Sequence, residues 1–336
     1  MKSSAVAITL ATLVCGAMPN SAAADALLTD FAYPHAVQRF DFVSQGQAMT
    51  MAYMDVAPKS APNGQTAVLL HGKNFCGATF GSQIEALTKA GYRVVAPDQI
   101  GFCKSSKPTG YQYGFHQLAA NTHALLAQLG VETPVILGHS MGGMLATRYA
   151  LMYGAETGGL VLVNPIGLED WRAKGVPENT IDELFAEEKK SNATSMKAYQ
   201  QATYYAGEWK PEYDRWVDML ASMYAGPGGE IVAWHQALTS DMVFNQPVVH
   251  EFDAVAVPTV LMIGEKDNTA IGKNRAPAEL KGQLGNYAPL GAAAKAAIPG
   301  ATLVTFPELG HSPQVQDPER FNAALIEQLA AIGKPR

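Results

Sequence analysis

Short apolar runs recur along the chain, each ending in glycine or proline, and alternate with stretches whose apolar positions return every three or four residues. The runs 67–70, 92–96, 135–137, 160–163, 259–263 and 302–306 end in His71-Gly72, Pro97-Asp98, Gly138, Asn164-Pro165, Gly264 and Pro307 respectively. Such continuous β-branched runs predict strands buried on both faces. Helices are predicted between them over 83–90, 115–129 and 141–153, stopped by Gly91, Gly130 and Gly154, with a last one over 318–331. Upstream, 39–43 and 49–56 alternate apolar and polar residues on either side of Ser44-Gln45-Gly46-Gln47 and predict a hairpin. Strand followed by helix, repeated, predicts an α/β protein whose mostly parallel central sheet is flanked by helices.

The alternation breaks over 167–253, which carries helical patterns and no convincing buried strand. This segment is expected to be an inserted helical cap, with 25–166 and 254–336 as the core. It holds all four tryptophans, Trp171, Trp209, Trp216 and Trp234, together with Tyr199, Tyr204, Tyr205, Tyr213, Tyr224, Met219 and Met223. Aromatic side chains mostly fill cores, but a module over the carboxyl edge of the sheet would offer some of them to a ligand. After Asp267, the stretch 268–300 is longer than a plain helical crossover requires, and either lines a pocket or forms a partner surface.

Residues 1–24 place Lys2 ahead of an apolar run over 5–14, then Pro19 and Ser21-Ala22-Ala23-Ala24. This is the layout of a secretory signal peptide. The apolar run is well short of the roughly 20 residues that cross a bilayer, so no membrane insertion is expected. The mature protein is expected to begin near Asp25 and to be exported, to a periplasm or outside the cell. Cys15 falls in the leader, in a context unlike a lipoprotein cleavage site. Cys76 and Cys103 then remain, in a compartment where disulfides persist.

With 336 residues, 48% of them hydrophobic and 16% charged, the chain can bury a full-sized core, and disorder is excluded. The 24 basic against 30 acidic residues, net charge −6, carry no footprint for nucleic acid or an anionic membrane. A small-molecule substrate is the expected partner, and nothing in the pattern fixes an oligomeric state. Three cysteines are too few for a disulfide scaffold. The chain has no H-E-x-x-H, no spaced cysteine pairs, no glycine-rich phosphate loop and no dinucleotide fingerprint, so neither a metal nor a cofactor is expected.

The strongest chemical signal is Gly138-His139-Ser140-Met141-Gly142-Gly143, a G-x-S-x-G motif that follows a predicted strand and opens a predicted helix. A sharp turn there would raise the Ser140 hydroxyl above the sheet, with Gly138 and Gly142 sparing side chains where backbones approach. A serine needs a base within hydrogen-bond reach, itself oriented by an acid. His311, in Glu308-Leu309-Gly310-His311 past the last strand, is the expected base, and Asp267, past the strand over 259–263, the expected acid. Glu265, Glu308 and Glu169-Asp170 are competing acids. His71, His116, His123 and His139 are expected to be structural. A tetrahedral intermediate also needs two backbone N–H donors. Met141, after the nucleophile, is one; the other falls in the loop His71-Gly72-Lys73-Asn74, at Lys73 or Asn74.

These motifs, His71-Gly72 after the third strand, Pro97-Asp98-Gln99-Ile100-Gly101-Phe102 after the fourth, the Ser140 elbow and Gly310-His311 near the end, resemble the α/β-hydrolase family in its capped, lipase- and esterase-like branch, over about 35–330. The resemblance implies a Ser140, Asp267, His311 triad, an oxyanion hole of Lys73 and Met141, and a cap that shapes the pocket. It also implies that the loops carrying Cys76 and Cys103 are neighbours, and a disulfide between them is expected. The loop Asp98-Gln99-Ile100-Gly101-Phe102-Cys103-Lys104-Ser105 departs from the family's Asp-x-Arg-Gly-x-Gly-x-Ser, and the usual proline after His-Gly is absent. A serine at the elbow argues against the branches that use a carboxylate nucleophile. The expected activity is hydrolysis of an ester or similar acyl bond of a small, largely apolar substrate. Aminopeptidase or carbon–carbon bond hydrolysis, and ligand binding without turnover, are the alternatives.

Overall fold

In the computed structural model, which describes residues 26–332, the chain enters the sheet through a tight hairpin. Strands β1 (Val37–Ser44) and β2 (Gln47–Val56) pair antiparallel across Gln45-Gly46, whose φ values of 51° and 72° suit a two-residue turn matched to strand twist. The expected leader and Cys15 lie outside the described residues.

Strand and helix then alternate: β3 (Thr66–Leu70), α1 (Gly81–Lys89), β4 (Arg93–Pro97), α2 (Phe115–Gln128), β5 (Val135–His139), α3 (Met141–Met152) and β6 (Gly159–Val163). Between β6 and the next strand come helices α4 (Ile181–Glu188), α5 (Ala193–Tyr199), α6 (Asp214–Tyr224) and α7 (Gly229–Asn245), with a π-turn over Gln200–Tyr204. The sheet resumes with β7 (Thr259–Gly264), followed by α8 (Ala278–Lys281) and α9 (Tyr287–Ala297), β8 (Thr302–Phe306), α10 (Pro313–Gln316) and α11 (Pro318–Ile332). The eight strands run in the order β1-β2-β4-β3-β5-β6-β7-β8, and all pairs from β4 to β8 are parallel.

The pleat divides the core into two layers, because successive side chains of a strand leave opposite faces. Leu69, Val94, Leu137, Val161 and Met262 pack with Phe80, Ile84 and Leu87 of the α1 side and with Phe321, Leu325 and Leu329 of α11. Their neighbours Val68, Val95, Ile136, Leu160 and Leu261 pack with Leu118, Met144, Leu145 and Tyr287 on the other face. Each such side chain, taken from water, contributes about 1.5–3 kcal/mol. One expectation fails at β8. It is the edge strand, with Thr302 exposed, 303–305 half-buried and only Phe306 buried. A β-branched run records strand propensity, and among the described residues no further strand pairs with the outer side of β8.

Parallel strands β3, β5, β6, β7 and β8 all end at one edge, so the loops bearing Gly72, Ser140, Asn164, Asp267 and His311 gather there. The loops after β3 and β4 are also tied together. Cys76 and Cys103 form a disulfide, Cα atoms 6.0 Å apart, closing a separation of 27 residues. In the chain-entropy account such a closure is worth about 3.5 kcal/mol. Alongside it, the Asp98 carboxylate accepts from the Gly77 N–H (2.8 Å), the Tyr33 hydroxyl (2.6 Å) and the Lys104 N–H (3.2 Å). Among the described residues no helix is long and apolar enough to cross a membrane.

Candidate active site

Ser140 sits between β5 and α3 with φ 58° and ψ −122°, a conformation that costs a non-glycine residue about 1–3 kcal/mol and persists only where its surroundings impose it. The surroundings here are backbone. A Cβ on Gly138 would stand 2.0 Å from the Gly142 carbonyl oxygen, and one on Gly142 would stand 2.1 Å from that of Leu70. A Cβ on Gly143 would stand 2.4 Å from the Cβ of the Pro165 ring and 2.9 Å from its Cα. The turn therefore closes only with glycine at these places, which is the physical content of the motif.

His311 and Asp267 meet in the adjoining loops. The His311 Nδ1–H donates to Asp267 Oδ2 at 2.6 Å, with both side chains fully buried. Asp267 has three further donors: Asn164 Nδ2 on Oδ2 (2.9 Å), and the Thr269 N–H (2.8 Å) and hydroxyl (2.6 Å) on Oδ1. With its lone pairs so occupied, the carboxylate is fixed in direction and holds the imidazole in the tautomer that leaves Nε2 as acceptor. Among the described residues His311 Nε2 has no hydrogen-bond partner, so the bond to the Ser140 hydroxyl is not made here. Both residues nevertheless border one cavity of about 330 Å³, and catalytic contacts often tighten only around substrate.

Three of the four competing acids are engaged elsewhere. Glu169 accepts from Trp171 Nε1 and the Gly285 N–H, Asp170 pairs with His250, and Glu308 pairs with Arg320. Three of the four histidines expected to be structural have partners. His71 Nε2 accepts from the Gln99 N–H at 3.0 Å while Nδ1 donates to the Gly72 carbonyl, and burial pushes its pKa down. His139 Nε2 donates to the His311 carbonyl at 2.8 Å. Burial, and then the neighbouring His311, hold His139 well below the ordinary histidine value, so it supports the His311 loop as a neutral ring. His123 stacks on Tyr153 with centroids 3.9 Å apart.

Of the two expected oxyanion donors, the Met141 N–H opens α3 and, like every first amide of a helix, has no intrahelical acceptor. Lys73 follows Gly72, which lies so close to Ser140 that a Cβ there would be 2.9 Å from the serine Cβ and 3.4 Å from its hydroxyl oxygen. Lys73 and Asn74 both border the cavity. The Lys73 ammonium is half-buried in a 2.7 Å ion pair with Glu188, whose other oxygen accepts from the Tyr224 hydroxyl.

Several residues at the site carried no separable signal in the sequence. Asn164, with φ 36°, braces β7 as well as Asp267: its Oδ1 accepts from the Gly264 N–H at 2.8 Å. The asparagine between a strand end and a proline was the available hint. Tyr204, in the π-turn, lays its ring 4.9 Å from the His311 imidazole and accepts from Asn74 Nδ2 at 2.8 Å. Its carbonyl accepts from the Ser312 N–H. The tryptophans, by contrast, do not border the cavity, whose aromatic lining is Tyr199, Tyr204 and Tyr224. Trp209 packs with Tyr205 and Tyr213, and Trp234 with Phe185. The first residues of 268–300, Thr269 and Ile271, line the cavity.

A family model described as the α/β hydrolase fold matches residues 67–318. The chain belongs to the α/β-hydrolase fold family. Its fold is similar to the crystal structure of a probable hydrolytic enzyme from Pseudomonas aeruginosa PAO1, with 60% identity and a TM-score of 0.90 over 91% of this chain and 98% of that one. Among curated proteins it is similar to Lipase 1 of Psychrobacter immobilis, 25% identical over 75% of this chain and 73% of the lipase. An AB hydrolase superfamily protein of Bacillus subtilis strain 168 is also 25% identical, over 79% of this chain and 91% of that protein.

Proposed function

We propose that this protein is a serine hydrolase that cleaves a small carboxylic ester through an acyl-Ser140 intermediate. The observation that carries the reading is the meeting, in one cavity, of Ser140 on its strained turn and His311 bonded to a fully satisfied Asp267. Ser140 Oγ attacks the acyl carbon as His311 Nε2 takes its proton. Asp267 positions the ring and stabilises the imidazolium. The N–H groups of Met141 and Lys73 receive the oxyanion. His311 then returns the proton to the leaving alcohol and afterwards draws one from the water that releases the acid.

The test is turnover of short- and medium-chain p-nitrophenyl esters near neutral pH, together with treatment by a serine-directed fluorophosphonate. Turnover, with the label recovered on the Ser140 peptide, is the expected result. No ester hydrolysis and no label on Ser140 would overturn the reading in favour of ligand binding without catalysis.

We also propose that the protein is exported, residues 1–24 being its signal. The Cys76–Cys103 disulfide supports this, since such bonds persist in oxidising compartments. Protein recovered from cells should begin near Asp25 and show no free thiol when denatured without reductant. An intact mass that includes Met1, with both thiols free, would rule the proposal out.

A further inference from the structure

One polar side chain in the wall of the catalytic cavity has nothing to bind. Gln200 is 1% exposed, and both its amide nitrogen and its amide oxygen are buried without a partner among the described residues. It borders the cavity shared by Ser140 and His311. Neighbouring polar groups in that wall are already matched: Lys73 with Glu188, Glu188 with Tyr224, and Asn74 with Tyr204. A buried donor or acceptor left unpaired is costly, and Gln200 carries both at once.

Gln200 also stands beside the loop that carries His311. It opens the π-turn that ends at Tyr204, the residue whose ring faces His311. Such wide turns recur at functional sites. The turn is anchored to the catalytic loop, since the His311 and Ser312 N–H groups donate to the Thr203 and Tyr204 carbonyls.

We propose that Gln200 is a specificity-determining residue that pairs with a carboxamide on the substrate. This rests on the acyl-transfer reading above. A glutamine amide offers a donor and an acceptor side by side, and its full complement is an acceptor and a donor side by side, as in a primary amide or a lactam. An alkyl chain satisfies neither atom. A ketone satisfies only the nitrogen. A carboxylate would set its charge against the amide oxygen, and the wall's one ion pair, Lys73 with Glu188, leaves no net charge to offset it. The preferred substrate is accordingly a neutral ester with a carboxamide a few bonds from the scissile carbonyl, more polar than the aromatic content of 167–253 suggests.

The test separates recognition from turnover. Binding of methyl succinamate and of its methyl-ketone isostere, methyl 4-oxopentanoate, is measured by calorimetry on the Ser140→Ala protein. The amide ester is expected to bind about tenfold to a hundredfold more tightly. The preference is expected to vanish when Gln200→Leu or Gln200→Met is added, with near-ultraviolet circular dichroism showing that the fold is kept. Equal binding of the two esters, or a preference that survives both substitutions, would overturn the proposal. Wild-type turnover of the same pair separates the two readings. A binding preference in a protein that hydrolyses neither ester removes the esterase reading and leaves the amide subsite standing; hydrolysis of both at equal kcat/KM does the reverse.

Discussion

Replacing His311 with alanine is expected to lower kcat toward a p-nitrophenyl ester by about 10^4-fold or more, and Ser140→Ala to do the same. The reason is geometric. Among the described residues, the only titratable side chains bordering the cavity besides His311 are Lys73, Glu188, Tyr199, Tyr204 and Tyr224. Lys73 and Tyr224 are both bonded to Glu188. Burial raises the pKa of Tyr199, Tyr204 and Tyr224 well above the usual range, so these hydroxyls keep their protons at neutral pH. No second base therefore stands ready when the imidazole is removed. The double variant Ser140→Ala/His311→Ala is expected to fall no further than either single one, because the two act as a unit. Asp267→Asn is expected to cost about 10^4-fold, since the amide nitrogen there would turn a donor either toward the Thr269 N–H or toward Asn164 Nδ2 and the imidazole together, and in the second case favour the wrong tautomer. A His311→Ala protein that kept kcat within tenfold would show that some other group takes the serine proton.

The largest effect on stability is expected from Gly142→Ala, at about 3–5 kcal/mol. The added carbon would lie 2.1 Å from the Leu70 carbonyl oxygen and 2.7 Å from that of His71. Both obstacles are backbone of the β3 end, so no side-chain rotation relieves the contact, and β3 and α3 must separate. Gly110→Ala is the control. That glycine has nothing within 4 Å of the added carbon, and a change within about 0.5 kcal/mol is expected. Urea midpoints for the two variants make the comparison, and equal midpoints would show that α3 does not pack against β3 as tightly as its glycines imply.

Much of this site was legible because its chemistry is written in short local patterns. Gly138-His139-Ser140-Met141-Gly142 marks the strand-to-helix turn within five residues, and the strand ends before Asp267 and His311 are marked by glycine or proline. The disulfide was legible only through the resemblance, which set the loops after β3 and β4 side by side. Asn164, Tyr204, Glu188 and Gln200 left no such mark. Asn164 finds Asp267 across 103 residues, Tyr204 finds Asn74 across 130, and Glu188 finds Lys73 across 115. The aromatic side chains of 167–253 divide between the two roles expected of them: Tyr199, Tyr204 and Tyr224 line the cavity, while Trp209 and Trp234 are consumed in packing.

The amino-acid sequence alone determined the order of strands and helices, the mostly parallel sheet and the elbow. The elements follow from periodic burial, which is written in residues close in the chain, and the elbow from a short glycine pattern. Tertiary structure alone decided that β8 is an edge, that Asn164 and Thr269 hold the Asp267 carboxylate, and that Gln200 borders the cavity with both amide atoms unspent. Those outcomes depend on which loops the parallel sheet brings to one edge and how the helices between β6 and β7 settle over it. Hydrophobic burial drives that settling but is non-directional, so no local pattern encodes which polar partners it brings together.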